Sequence, residues 1–583
     1  MDANRVKYKL HVARTLLDTG MFAPTRPDKA VRSLNALHRW GPTPAAAYTG
    51  SAIRYPERTA IVDERGTLTF SEVHRRTNAL AHELRKAGIG EQNGVAIMSR
   101  NHRGFVEATL ACSKLGASAL YLNTAFAGPQ ITDVLEREDP VAVIYDEEFT
   151  ELVREGAAGR TRFVAWSEPR ARPPASPPDP LLEELIARGD DSELEPPAEQ
   201  GRVVILTSGT TGTPKGAARR QPDSIEPVAA LFSKIPLKAR EVTVIAAPMF
   251  HSWGFAHFTL GLPLASTLVL RRRFDAEETL KAAAQHRAST LALVPVMLQR
   301  ILDLGPEAIA RYDLRALKVI ALSGSALPGE LATRAMDTFG EVLYNLYGST
   351  EVSWATIATP EDLRAAPGTA GRPPIGTVVK LLDTEGREVR PGEGGRIFVA
   401  NEMTFEGYTG GGGKEIVRGL MSTGDVGRFD EGGRLFVEGR DDEMIVSGGE
   451  NVFPREVEDL LADHDQIEEA AVVGVQDEEF GQRLKAFVVA RNGTTLTEDA
   501  VKGYVKANLA SYKVPREVTF LKELPRNETG KVLKRELQAQ PVERRLHEPS
   551  QASSAPPVRL WTPREDQPRG YRTPRPRRGT DHA

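Results

Sequence analysis

The sequence predicts an α/β protein: a large N-terminal domain of layered mixed sheets and helices, an antiparallel portion near its end, and a small α+β domain after it. Three observations carry that prediction. Between residues 60 and 322, short β-branched runs alternate with helical patterns, as parallel strands joined by crossover helices do. Between 376 and 438 the strand-like runs are separated by Gly-rich turns, as in Asp383-Thr384-Glu385-Gly386 and Asp430-Glu431-Gly432-Gly433, which favours hairpins. A new helix-and-strand pattern starts at Pro454, a residue suited to the first turn of a helix, and runs to about residue 540.

Taken in order, residues 5–22 read as an amphipathic helix. Val6, Leu10, Ala13 and Leu17 share one stripe, flanked by Arg5, Lys7, Lys9 and Arg14. Such a stripe docks on the protein's own body, or it rests on a membrane surface. Thr59–Val62, Gly94–Met98 and Val141–Tyr145 read as buried strands. Ser71 reads as a helix N-cap, with Glu72 and the apolar series Val73, Ala79, Leu80 and Leu84 behind it. Residues 168–200, rich in Pro and acidic residues, read as a surface excursion. Strand-like runs resume at 203–206, 242–245, 267–270 and 319–322. From 541 the chain turns to Pro, Ser, Gln and Arg, and this tail has too few aliphatics to fold alone.

Composition narrows the function classes. The chain has 583 residues, 40% hydrophobic and 26% charged, as in globular proteins. Its net charge of -4 offers no overall basic field for nucleic acid. Cys112 is the single cysteine, so an intramolecular disulfide and a Cys-based metal cluster are excluded. Its surroundings, Leu110 to Leu115, look like a packed helix with nothing to activate a thiolate. No apolar run approaches the ~18 residues of a spanning helix. The N-terminus leads into no long apolar stretch of the secretory kind, so the expected location is the cytoplasm. Membrane association through residues 5–22 and a homodimer stay open.

The strongest chemical signal is Thr207-Ser208-Gly209-Thr210-Thr211-Gly212-Thr213-Pro214-Lys215-Gly216, directly after a buried strand. Three glycines let the backbone turn tightly and bring N–H groups to an anion, hydroxyls add donors, and Lys215 adds charge. A Walker A loop needs Gly-Lys-Ser/Thr at its end. Here Lys215 stands between Pro214 and Gly216, so that assignment fails.

The segment resembles the phosphate loop of the adenylate-forming superfamily, which holds acyl-CoA synthetases, luciferases and peptide-synthetase adenylation domains. The resemblance covers roughly residues 45–535, because further motifs recur in order. Pro248 to Gly254 resembles the family segment bordering the acyl pocket, which implies pocket roles for Phe250, His251, Trp253 and Phe255. Gly324, Ser325 and Ala326, after the strand 319–322, are implied to flank the adenine and the acyl chain. In Tyr344 to Glu351 the resemblance implies Tyr347 and Gly348 near adenine, Thr350 on the α-phosphate and Glu351 on Mg2+, a hard cation that favours carboxylate and phosphate oxygens. Asp425, in Ser422-Thr423-Gly424-Asp425, can accept from both ribose hydroxyls, and Arg440 resembles a second ribose and phosphate contact. The run 444–454 resembles the family's mobile loop. It implies a hinge at Asp442 and a pantetheine tunnel lined at Gly448 and Gly449. Lys531, in Asn527-Glu528-Thr529-Gly530-Lys531, resembles the catalytic lysine that reaches the acyl carboxylate and α-phosphate.

The resemblance implies an N-terminal extension over 1–44, an adenylation domain over 45–441 with a barrel-like antiparallel portion, a mobile catalytic domain over 442–540 and a disordered tail over 541–583. It implies ATP, Mg2+ and coenzyme A as cofactors and a small carboxylic acid as partner, with no role for nucleic acid. The implied reaction is acyl-adenylate formation, then transfer to a thiol. The chain looks most like bacterial fatty-acid–CoA ligases of medium to long chain preference. Aryl acids remain open, as do loading of a carrier protein in trans and a nucleotide-binding scaffold without chemistry.

Overall fold

Parallel strands buried on both faces read as near-continuous apolar runs, and that patterning builds the two large sheets of this protein. The structure is a computed structural model. It describes residues 3–168, 179–208, 214–219, 226–325, 327–383, 385–390, 392–403, 405–409, 411–440, 445–447, 450–452, 454–462, 464–477, 480–491, 494–525, 532 and 534–539. The sequence-based expectations for the 209–213 loop, Ala326, the Asp442 hinge, Gly448, Gly449, Lys531 and the tail from 541 lie outside the described residues. Residues 1–538 form one unit and 539–583 a second.

Among the described residues the strands form four sheets. The first runs, edge to edge, 356–358, 343–347, 319–322, 290–293, 242–245, 267–270, 59–63 and 66–69. All its neighbours are parallel except the outermost pair at each edge. The second orders 405–408, 214–219, 203–208, 118–121, 94–98, 142–146 and 161–166, parallel from 203–208 onward. The third is an antiparallel sheet of strands between 378 and 440. The fourth, between 445 and 520, is built on the long hairpin Ile467–Asp477 and Gly481–Ala490. The helix Pro454–Ala462 begins on its proline, as expected.

Local details differ from the sequence reading in three places. The helix Phe70–Lys86 is capped by Thr69, not Ser71: Thr69 Oγ1 accepts from the Glu72 N–H at 3.2 Å, and Glu72 Oε2 accepts from the Thr69 N–H at 2.7 Å. Only Thr69 stands three residues before the glutamate, as a capping box requires. Within 168–200, Leu182–Arg188 is a helix with Leu182 and Leu185 buried. The N-terminus forms helices α1 (Ala3–Asp18), α2 (Pro27–Trp40) and α3 (Pro44–Arg54). α1 docks on the body through Val12 and Leu16, which join a core cluster with Trp253, Leu260, Leu346 and Trp354. The stripe read from the sequence, Val6, Leu10, Ala13 and Leu17, is the exposed one.

Candidate active site

Parallel strands order the site. In the first sheet, strands 242–245, 319–322 and 343–347 all point the same way, so the segments leaving their carboxyl ends share one edge of the sheet. Ligands in open α/β sheets bind along that edge. Those segments are 246–251, 323–325 and 348–351, three of the motifs singled out in the sequence.

Each is held by backbone constraints. Asn101, after the strand Gly94–Met98, donates from Nδ2 to the Ile245 and Ala247 carbonyls at 3.1 and 2.9 Å. Its Oδ1 accepts from the Met249 N–H at 2.8 Å. This side chain latches the second sheet to the segment that carries His251. Trp253 donates from Nε1 to the Leu293 carbonyl at 3.0 Å, which fixes its ring in the wall. Gly348 is needed by close approach: a Cβ there would stand 2.3 Å from the Ser353 carbonyl oxygen. Gly324 has φ +99°, a conformation that glycine adopts without strain.

The polar end has a defined hydrogen-bond network. Glu351 is 8% exposed. It accepts from the Tyr408 hydroxyl at 2.6 Å and from the Ser349 hydroxyl at 2.8 Å. Burial pushes its pKa up, but the Lys414 charge and these hydrogen bonds outweigh it and hold the carboxyl below its ordinary range. Tyr347 donates to Asp425 at 2.5 Å. Strand pairing sets Asp425 opposite Arg440, which brings the two expected ribose contacts together along the backbone. Thr350 and Ser252 meet through their hydroxyls at 3.2 Å. Thr207 and Ser208 end their strand and pair in register with Lys215 and Pro214, the residues on the other side of 209–213. The Lys215 ammonium lies 5.3 Å from the centre of the Tyr408 ring.

His251 Nε2 meets Glu450 Oε1 at 2.6 Å. Burial would lower the imidazole pKa. The charge of Glu450 and the hydrogen bond to it outweigh that and raise it. Glu450 lies in the fourth sheet, so this contact ties the C-terminal region to the site. Sequence reading missed Glu450, Tyr408, Lys414 and Asn101. Glu450 directly follows Gly448-Gly449, a position that could have flagged it.

One cavity of about 1050 Å³ is lined by some of these groups, with Tyr347, Tyr408, Asp425, Lys215 and Asn101 outside its lining. Gly324, Gly348, Thr350, Glu351, Lys414 and Glu450 line it. His251, Trp253, Phe255 and Leu262 line it as well, as do Phe22, between α1 and α2, Leu34 and Leu37 of α2 and Ala47 of α3. Phe250 is buried in the core beneath the site, 4.7 Å from the His251 ring, and is not among the lining residues.

A second cluster invites comparison with a nucleophilic triad. Ser99 Oγ and Asp146 Oδ1 lie 3.0 and 2.9 Å from His102 Nε2. Both meet the same ring nitrogen, whereas a relay needs the base to hold its two partners on opposite nitrogens. His102 Nδ1 instead accepts from the Gly104 N–H at a helix start, and all three residues are buried. The cluster is a structural clamp. Cys112 is buried as expected, and burial pushes its thiol up to about 12.

Among the described residues no group of three or more His, Cys, Asp or Glu side chains could hold a metal. Glu351 alone, held ionised beside the site, matches the way Mg2+ is bound through one or two carboxylates together with substrate phosphates and waters.

Comparison with known proteins agrees with this geometry. The chain is 32% identical to the indoleacetate–CoA ligase of Aromatoleum aromaticum over 500 residues, 83% of this chain and 94% of that protein. The amide bond synthetase of Marinactinospora thermotolerans has a TM-score of 0.75 at 26% identity, over 85% of this chain and 99% of that one. The o-succinylbenzoate–CoA synthetase of Bacillus subtilis, as a double mutant bound with its product analogue, has a TM-score of 0.73 at 26% identity, over 84% and 98%. The same synthetase in complex with its acyl-adenylate intermediate scores 0.61 at 26% identity, over 84% and 97%. The family model for AMP-binding enzymes matches residues 49–409, and that for the AMP-binding enzyme C-terminal domain matches 456–531. With the matched segments taking in the phosphate loop, the 248–254 and 344–351 motifs and Lys531, the chain belongs to the AMP-binding enzyme family.

Proposed function

We propose that this protein is an ATP-dependent acid–CoA ligase that forms an acyl-adenylate and passes the acyl group to the thiol of coenzyme A. The observation that carries the reading is one cavity lined both by Thr350 and the ionised Glu351 and by apolar side chains such as Trp253, Phe255 and Leu262. The acid's carboxylate attacks the α-phosphorus of ATP and pyrophosphate leaves. Both reactants are anions, so the protein must neutralise and align them. Lys215 and the hydroxyl and N–H donors of 207–212 serve the phosphates, Thr350 serves the α-phosphate, and Lys531 bridges to the carboxylate. Glu351 would hold Mg2+, which supplies charge neutralisation on the phosphates when bound. Tyr347, Asp425 and Arg440 serve adenine and ribose, with Gly324, Ser325 and Ala326 beside them. No protein nucleophile takes part.

For the second step, the C-terminal domain turns about Asp442 and brings the 448–450 loop to the site in place of Lys531. Two observations support that reading. His251 meets Glu450, and the fold matches the succinylbenzoate enzyme better with its product analogue than with its acyl-adenylate, 0.73 against 0.61. We assign the domains as 1–44, 45–441, 442–540 and 541–583.

A medium- or long-chain fatty acid suits a cavity of about 1050 Å³ whose apolar lining takes in Trp253, Phe255, Leu34 and Leu37. An aryl acid is the second reading, favoured by the indoleacetate–CoA ligase relative. A panel of fatty acids of increasing length and aryl acids, measured as kcat/KM for CoA consumption, tests both. A rise of up to ~4-fold per added methylene supports the fatty acid. A maximum at a ring-bearing acid with no chain-length trend supports the aryl acid.

A further inference from the structure

Among the described residues twelve large hydrophobic side chains are exposed, and seven of them fall between Val6 and Leu37. They do not serve the docking of their own helices. α1 uses Val12 and Leu16 for that and leaves Leu10 and Leu17 at 66% and 63% exposure. α2 buries Ala36 and Trp40 and leaves Val31 and Leu34 at 66% and 67%. A surface helix needs one apolar stripe. Each of these has a second, and exposed apolar surplus of that kind marks an interaction surface.

Charge says what the surface meets. Residues 1–40 hold eight Lys and Arg against three Asp and Glu, a net of +5, in a chain whose total is -4. Lys7, Lys9, Arg14 and Arg32 are exposed. Two copies of so basic a face repel each other, whereas an anionic lipid surface attracts it by ~1 kcal/mol per cationic side chain. Position adds a third argument: Phe22, Leu34 and Leu37 are exposed and also line the cavity, so the cavity opens within this segment. No described helix is long and apolar enough to cross a membrane, which leaves contact in the interfacial plane.

We propose that residues 6–40 dock on an anionic lipid bilayer and that an apolar acid passes from the bilayer into the cavity through the opening at Leu34 and Leu37. The docking half stands by itself. The transfer half rests on the reading of the site as one that activates an apolar acid.

The test is sedimentation of the full-length protein, without ATP or acid, on phosphatidylcholine vesicles with and without phosphatidylglycerol. Binding to the phosphatidylglycerol vesicles alone, weakened by salt, is expected. The variant Leu10→Asp/Leu17→Asp/Val31→Asp changes three exposed residues outside the cavity lining. It should lose partition on the order of 100-fold or more. It should also keep its rate on a water-soluble acid while losing kcat/KM for an acid supplied in vesicles. Should that variant not fold, Arg14→Glu/Arg32→Glu carries the same test, at ~5-fold lost per charge removed. Absent binding, equal binding to neutral vesicles, or unchanged binding in the variants overturns the proposal. A wild-type dimer that the triple variant dissolves, without vesicle binding, assigns the face to a second copy and also overturns it. Vesicle binding with no activity on any acid would refute the proposed reaction while leaving the docking face in place.

Discussion

Replacing Glu450 by Gln keeps the side-chain shape and removes the charge that faces His251. The two meet at 2.6 Å with side chains 30% and 22% exposed, so the contact is largely shielded from water. A hydrogen bond between charged partners contributes ~1.5–3 kcal/mol, and its loss corresponds to ~10–150-fold in rate if the contact holds the thioester-forming arrangement. Glu450 raises the His251 pKa against the effect of burial. A raised imidazole pKa gives a contribution that is complete below the unpaired value and disappears as pH rises through the raised one. The gap between wild type and Glu450→Gln should therefore be widest in acid and close in alkali. The assay is a pH series of CoA consumption from supplied acyl-adenylate, run beside acid-dependent ATP–pyrophosphate exchange. Thioester formation should fall and exchange should not. Equal loss in both half-reactions, or a gap that ignores pH, would refute the reasoning.

Other substitutions probe the rest of the site. Tyr408→Phe removes a donor at 2.6 Å from the buried Glu351, and exchange activity should fall ~10–150-fold with the Mg2+ requirement shifted to higher concentration. Retention of both would remove Tyr408 from the site. Gly348→Ala would force a methyl to 2.3 Å from the Ser353 carbonyl oxygen, so thermal unfolding should show a loss of ~1–3 kcal/mol and exchange should fall as the 348–351 turn shifts. An unchanged melting curve would contradict that packing. Lys531→Ala should abolish adenylation yet spare thioester formation from supplied acyl-adenylate, measured by the same pair of assays. Parallel loss of both would sink the assignment.

The fold was legible where the chain obeys simple periodicity. Strands such as Gly94–Met98 and Val319–Leu322 are buried along nearly their whole length, so their apolar runs stand out. The motifs were legible because they leave the carboxyl ends of those strands. Contacts made by folding were not. Tyr408 is 57 residues from Glu351, and Glu450 is 199 from His251, so no local pattern joins them. The Thr69 cap was within reach, since the spacing to Glu72 distinguishes it from Ser71. The N-terminal stripe was read correctly as apolar and helical. Which way it faces was not legible, because α1 has a second apolar stripe, through Val12 and Leu16, and buries that one.

The central claim is activation of a carboxylic acid followed by transfer to CoA. It is tested most directly by product stoichiometry with purified full-length protein, ATP, Mg2+, CoA and a panel of apolar acids. AMP and acyl-CoA should appear in equal amounts, each dependent on the acid, and omission of CoA should leave acid-dependent pyrophosphate exchange intact. Exchange absent for every acid would contradict adenylation. AMP released with no CoA consumed would contradict CoA as the acceptor.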